Sequence, residues 1–185
     1  MAQVFSARLV VLAGGALALG LAAFLGLALS RDVGSPELGQ TEAGFDTAAP
    51  FELTAFDGST LSLADHADSP VFLYFWASWC EPCRKEAPAI QALWDEYRDR
   101  GYVFIGVNML DNEEAARAFA EEFGLTFPLV TDVAGTVYVD YGVYGLPEAF
   151  FLRPGLEVDQ KYIGELTETV LRERLDAIAA DGELS

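Results

Sequence analysis

Cysteine is scarce in this chain of 185 residues, which has two of them, a single histidine, and 11 basic side chains against 29 acidic ones. Each shortage excludes something. Two cysteines plus His66 fall short of the roughly four ligands that a structural zinc site needs. Haem attachment calls for a histidine directly after a Cys-x-x-Cys pair, and Arg84 stands there. A net charge of −18 offers no basic stripe to a phosphate backbone, so nucleic acid is not expected as a partner. It also gives no reason for affinity to an anionic lipid surface. The acidic excess reads as a solvated face covered with carboxylates, with steering of a basic partner as the alternative. No internal repeat is visible.

What is present is concentrated in one place. Both cysteines lie within Phe75-Trp76-Ala77-Ser78-Trp79-Cys80-Glu81-Pro82-Cys83-Arg84-Lys85-Glu86, after an apolar run that reads as a strand and where a helix should begin. Disulfide exchange proceeds by attack of a thiolate, and an ordinary cysteine is mostly protonated at neutral pH. The unpaired N–H groups and positive dipole end of a helix start favour the anion on the first cysteine. Cys80 is therefore the candidate nucleophile. A thiol three residues on, one turn later, can reach a mixed disulfide at Cys80 and release the reduced product, which makes Cys83 the resolving thiol. Pro82 suits a first helical turn, where its missing N–H costs nothing. The competing reading is a structural disulfide, although a bridge closing so short a loop stabilises little.

Ahead of this lies Leu9 to Leu29, an uncharged run between Arg8 and Arg31. About 20 apolar residues suffice to cross a bilayer as a helix. The run exceeds the usual apolar part of a cleaved signal peptide, so residues 1–30 are read as an uncleaved anchor; a cleaved signal peptide with Ala28 and Ser30 as the small residues before the cut is the alternative. Either way the domain is expected outside the cytoplasm. Residues 31–48, acidic and rich in Gly, Ser, Thr and Ala, read as a flexible tether, and 49–183 as the folded domain.

Within that domain, Phe51 to Thr54 and Thr60 to Leu63 alternate across Asp57-Gly58 as a hairpin. Val71 to Trp76 is the expected central strand, buried on both faces. A helix to about Arg100, a strand from Tyr102 to Asn108, a helix from Asn112 to Phe123 and a short strand from Phe127 to Thr131 follow. Ala149 to Leu152 and Glu157 to Ile163 pair across Arg153-Pro154-Gly155, and Thr167 to Ala180 closes the chain as an amphipathic helix. The order predicts an α/β fold, a mixed sheet with helices on both faces.

Two details bear on chemistry. Glu86, Ile90, Leu93 and Tyr97 share one helical face, so Glu86 should be buried one turn beyond Cys83, its pKa raised, in reach of proton exchange with the resolving thiol. The alternative is a surface glutamate beside Arg84 and Lys85. Pro88 inside this helix should kink it and expose its first turn. Further on, Pro147 precedes a strand, and a cis bond there would present the Leu146 backbone to an extended peptide; the residues alone leave the isomer open.

Taken together, these residues resemble the thioredoxin superfamily, and within it the membrane-anchored thiol:disulfide interchange proteins of the CcmG/DsbE and TlpA/ResA type. The likeness runs from about Ala49 to about Ala179. Trp79-Cys80-Glu81-Pro82-Cys83 followed by Arg-Lys-Glu resembles the ResA-type site, and Gly142-Val143-Tyr144-Gly145 with Pro147-Glu148 and Phe150 resembles the CcmG-type loop, with Leu146 where Ala is common. The resemblance implies a thioredoxin-like fold with the segment from Asn112 to Phe123 as a helical insertion, a cis Leu146-Pro147 bond against Cys80, and Glu86 and Glu148 as an acidic environment tuning the dithiol. Trp79, Leu146, Pro147 and Glu148 become the expected client contacts. No cofactor and no metal are expected.

The implied task is reduction of the cysteine pair of apocytochrome c before haem attachment, with electrons from a membrane reductant of the DsbD/CcdA kind. The implied location is the periplasmic face of the inner membrane, with residues 9–29 crossing the bilayer once. Rival readings are a reductant or oxidant acting on other clients, and a docking module whose disulfide is only structural. The opening from Phe51 to Leu63 also resembles peroxiredoxins, but Ala77 replaces the threonine that precedes their reactive cysteine by three positions, so a peroxidase is not expected.

Overall fold

In the computed structural model, residues 39–182 and, ahead of them, Gly20 are described. The expected anchor at 9–29 lies outside the described residues apart from Gly20. Among the described residues no helix is long and apolar enough to cross a membrane.

The sheet grows around one strand. Every residue of Val71–Trp76 (β4) is buried, as a six-residue run without a polar break requires. Alternation sends Phe72, Tyr74 and Trp76 to one face and Val71, Leu73 and Phe75 to the other, and each set needs its own cover. On the first face lie the helices Glu81–Tyr97 (α1), Glu113–Phe123 (α2) and Glu168–Gly182 (α4). The second face is covered by the short helix Thr136–Asp140 (α3) together with Ala48, Phe51, Leu63 and Leu156. The mixed α/β architecture expected from the sequence is thus observed, with three of these four helices on one side.

Eight strands make the sheet: Gly39–Thr41 (β1), Glu52–Ala55 (β2), Thr60–Ser62 (β3), β4, Val103–Met109 (β5), Leu129–Asp132 (β6), Glu148–Arg153 (β7) and Glu157–Ile163 (β8). Their order is β1-β8-β7-β4-β5-β6-β2-β3. Only β4 with β5 and β5 with β6 run parallel, each crossover being made by a helix, α1 and then α2. The hairpin of β2 and β3 adds to β6, and β7 pairs β4 with Glu148 opposite Phe75. Polar ends fix α4: Tyr97 Oη donates to Asp176 at 2.7 Å and Tyr102 Oη to the Leu175 carbonyl at 2.6 Å.

Two expectations are corrected. The tether read at 31–48 is not wholly outside the fold. Gly39 to Thr41 pair antiparallel with β8, Ala48 N–H donates to Leu156 O at 2.9 Å, and the Phe45 ring packs on Tyr141 and Phe150. The partners of that segment lie more than 90 residues away, beyond the reach of local pattern. Helix α1 also runs from Glu81 to Tyr97 through Pro88, with Cys83 in its first turn and Glu86 in its second both buried, so the proline does not expose them.

Close approach explains one glycine. A Cβ on Gly106 of β5 would stand 2.7 Å from Leu129 Cδ2 and 3.0 Å from both Phe127 Cε2 and Trp76 Nε1. Overpacking of this kind costs about 1–3 kcal/mol. Gly106→Ala should therefore lower stability by about that amount in urea unfolding of the oxidised protein, with the slope unchanged.

Candidate active site

The site is built where β4 ends. The chain leaves Trp76, turns through Ala77, Ser78 and Trp79, and starts α1 with Cys80 as its N-cap in extended conformation. Cys80 N–H donates to Ala77 O, and Cys83 N–H to Cys80 Sγ, both at 3.2 Å. The sulfur of Cys80 thus occupies the capping position, where unpaired helix N–H groups favour negative charge. Cys80 and Cys83 are joined as a disulfide, with Cα atoms 5.2 Å apart. Cys80 retains 3% exposure and Cys83 none, so of the two residues only Cys80 has any access from solvent.

One carboxylate holds the turn before the cysteines. Asp111, just past β5, accepts from Ser78 N–H at 2.5 Å, Ser78 Oγ at 2.7 Å, Asn108 Nδ2 at 2.9 Å and Asn112 N–H at 2.8 Å. Burial pushes its carboxyl up, but these donors outweigh burial and hold it below the ordinary range. Trp79, 60% exposed, donates its indole N–H to Leu110 O at 3.0 Å, and Leu110 is itself exposed with a left-handed φ of 50°. The apolar ring is therefore held at the surface beside Cys80.

Glu86 lies behind the dithiol, one turn past Cys83 and 2% exposed, as its place on the apolar face of α1 requires. Its Oε2 accepts from Leu166 N–H at 2.6 Å, while Oε1 has no hydrogen-bond partner. The Tyr74 hydroxyl stands next to the carboxyl without closing a hydrogen bond. Burial pushes Glu86 up to about 8, against lowering by the Leu166 N–H and the Tyr74 hydroxyl, with the Glu165 charge adding to the rise. A carboxyl with one oxygen unengaged and a pKa near neutrality can take up or release a proton at working pH.

The loop before β7 stands across from the dithiol turn. Pairing of Phe75 with Glu148, extended by one residue, sets Pro147 opposite Trp76. The Leu146-Pro147 bond is cis, and Leu146 packs against the cluster that contains Cys80 and Cys83. Glu148 departs from expectation. It faces the other side of the sheet, the side of Phe75 and Phe150, and is wholly buried. It therefore lies on the opposite side of the sheet from Glu86. Its carboxyl is engaged by Lys161 Nζ at 2.6 Å and by Tyr144 N–H at 3.0 Å. Among the described residues no group of three or more His, Cys, Asp or Glu side chains converges as a metal site.

Residues 45–161 match the AhpC/TSA family, more than half of the chain. This chain belongs to that family. Similar proteins include some named thiol-disulfide oxidoreductases. The thiol-disulfide oxidoreductase ResA of Geobacillus kaustophilus (strain HTA426) is 36% identical over 132 residues, 71% of this chain and 76% of that protein. The thioredoxin-like protein YneN of Bacillus subtilis (strain 168) is 33% identical over 165 residues, 88% and 95% of the two chains. The crystal structure of StoA from Bacillus subtilis superposes with a TM-score of 0.62 at 28% identity, covering 71% of this chain and 99% of that one. With the Cys80–Cys83 disulfide in place, this family member is a thiol:disulfide oxidoreductase of thioredoxin-like fold.

Sequence reading did not find Tyr74, Asp111 or Lys161. Tyr74 carries the one polar atom in β4 apart from the Trp76 indole, and Lys161 is a lone cation in an otherwise half-buried strand; both were signals. Asp111 gave none, because its partners come from another loop.

The Glu86 carboxyl sets a pH test. The folded protein keeps a proton at Glu86 that the unfolded chain releases near the ordinary value of 4.5, so stability falls as pH rises from there through about 8. Glu86→Gln removes this loss. Relative to wild type, the variant should gain about 3 kcal/mol between pH 5 and pH 8 in denaturant titrations of the oxidised form.

Proposed function

We propose that this oxidoreductase acts as a membrane-tethered, extracytoplasmic reductase, and that its client is the oxidised cysteine pair of apocytochrome c. The observation that carries the direction of attack is the asymmetry of the pair: Cys80 caps α1 and has the only access to solvent, while Cys83 is sealed beneath it. In the reduced protein the Cys80 thiolate attacks one client sulfur, forming a mixed disulfide and releasing the other client sulfur as a thiolate that takes up a proton. Cys83 gives its proton to Glu86 in the ionised form that a pKa of about 8 leaves accessible, and then attacks Cys80 Sγ. The Cys80–Cys83 disulfide forms and the second client thiol leaves. The departing client sulfur takes the proton back from Glu86, so two electrons and two protons reach the client, one proton from Cys83 by way of Glu86 and one from solvent.

The choice of client rests on resemblance. The loop from Gly142 to Glu148 is similar to that of CcmG-type proteins, and an extended Cys-x-x-Cys-His segment suits a site edged by exposed Trp79 and by the backbone of Leu146. Electrons would return the disulfide to its reduced form from a membrane reductant of the DsbD/CcdA kind. Residues 9–29, as an uncleaved anchor, would keep the domain beside that donor on the periplasmic side of the inner membrane.

Trapping tests the client. Cys83→Ala, expressed in its own cells, leaves Cys80 able to attack but the mixed disulfide unable to resolve. Mass spectrometry of the captured adducts should be dominated by proteins that carry Cys-x-x-Cys-His segments. Adducts that form without such proteins among them would keep the dithiol chemistry and overturn the client.

A further inference from the structure

We propose that Lys161 is a positioning residue for client binding: with Glu148 it latches the loop 142–146 as the edge on which an extended client segment lies, and it presents Tyr144 as the ring that packs on that segment. The inference rests on the dithiol chemistry proposed above and adds a determinant of client grip outside the Cys-x-x-Cys segment.

Lys161 lies on β8, two strands from the dithiol strand, and its side chain is 3% exposed. Its Nζ donates to the Gly142 carbonyl at 2.7 Å and pairs with Glu148 Oε1 at 2.6 Å. The rings of Tyr144 and Phe150 lie over the same ammonium, with centroids 4.9 and 5.2 Å away. Glu148 Oε2 accepts from Tyr144 N–H. One buried ion pair thus grips the loop at a carbonyl, at an N–H and at a ring. Gly142, with φ of 57°, takes the left-handed turn that aims its carbonyl inward.

A buried ion pair is a poor source of stability, since apolar side chains of similar volume hold a core as well or better. What an apolar pair cannot do is bond the polar groups of this loop. The loop leads directly into Leu146 and Pro147, next to Trp76 on the neighbouring strand and the turn to Cys80. Tyr144 is 76% exposed although its backbone and the inner edge of its ring are fixed. An aromatic side chain held outward two residues before Leu146, which packs against the cluster of Cys80 and Cys83, is a contact made in advance of binding.

The test compares two oxidants of the reduced, full-length protein: an oxidised peptide carrying Cys-Ala-Gln-Cys-His, and hydroxyethyl disulfide, which has no backbone to lie on the loop. In Lys161→Met the second-order rate with the peptide should fall about tenfold, while the rate with hydroxyethyl disulfide stays within about twofold. Hydrogen exchange should quicken in the 142–147 segment and not in β4 or α1. Equal changes in both rates, or an unchanged peptide rate in a folded variant, overturns the proposal. Should Lys161→Met fail to fold, Tyr144→Ala, an exposed position, carries the same expectation: a selective fall of about fivefold with the peptide, and no fall refutes it. If the dithiol chemistry itself were misread, wild type would react with neither disulfide.

Discussion

Strand β4 is buried on both faces, and the rest of the domain answers that constraint. A run of Val, Phe, Leu, Tyr, Phe and Trp cannot leave either set of side chains in water, so cover is required above and below. Helices α1, α2 and α4 meet one set, and α3 with the segment from Phe45 to Phe51 meets the other. Because β4 is central and rigid, the place where it ends is fixed, and there Cys80 begins α1. The position of the reactive sulfur follows from hydrophobic cover before any electrostatics act on it.

Charge then divides the work between the two sides of the sheet. On the side of α1, Glu86 is buried without a cation, and desolvation keeps its carboxyl largely protonated near neutrality. On the other side, Glu148 is buried with Lys161 beside it; burial still raises its carboxyl, against the lowering by Lys161 and by the Tyr144 and Gly145 N–H groups. The first carboxyl is disposed to exchange protons and the second to hold a loop. Asp111, whose four donors outweigh its burial, ties the remaining piece, the turn at Ser78 and Trp79. Three acids that look alike in sequence are set apart by solvent and partners.

Local pattern made β4, α1 and the cysteine pair legible, because a six-residue apolar run, a 3.6-residue spacing of Glu86, Ile90, Leu93 and Tyr97, and a Cys-x-x-Cys are all short-range signals. The parallel crossovers and the β7–β8 pair followed from element order. What escaped depends on distant partners. Strand β1 exists only because β8 offers an edge, and α3, five residues long, is too short to show a period. The family resemblance implies Glu148 beside the dithiol, but strand alternation turns it to the opposite face. Its register was readable from the sequence; which face carried the cysteines was not.

The central claim is that Cys80 is the reactive thiol and Cys83 the sealed one. Timed alkylation of the reduced protein with iodoacetamide at pH 7, mapped by mass spectrometry of the peptides, tests it directly. The account predicts modification at Cys80 at least about tenfold faster than at Cys83. Equal labelling of the two, or faster labelling of Cys83, would contradict it.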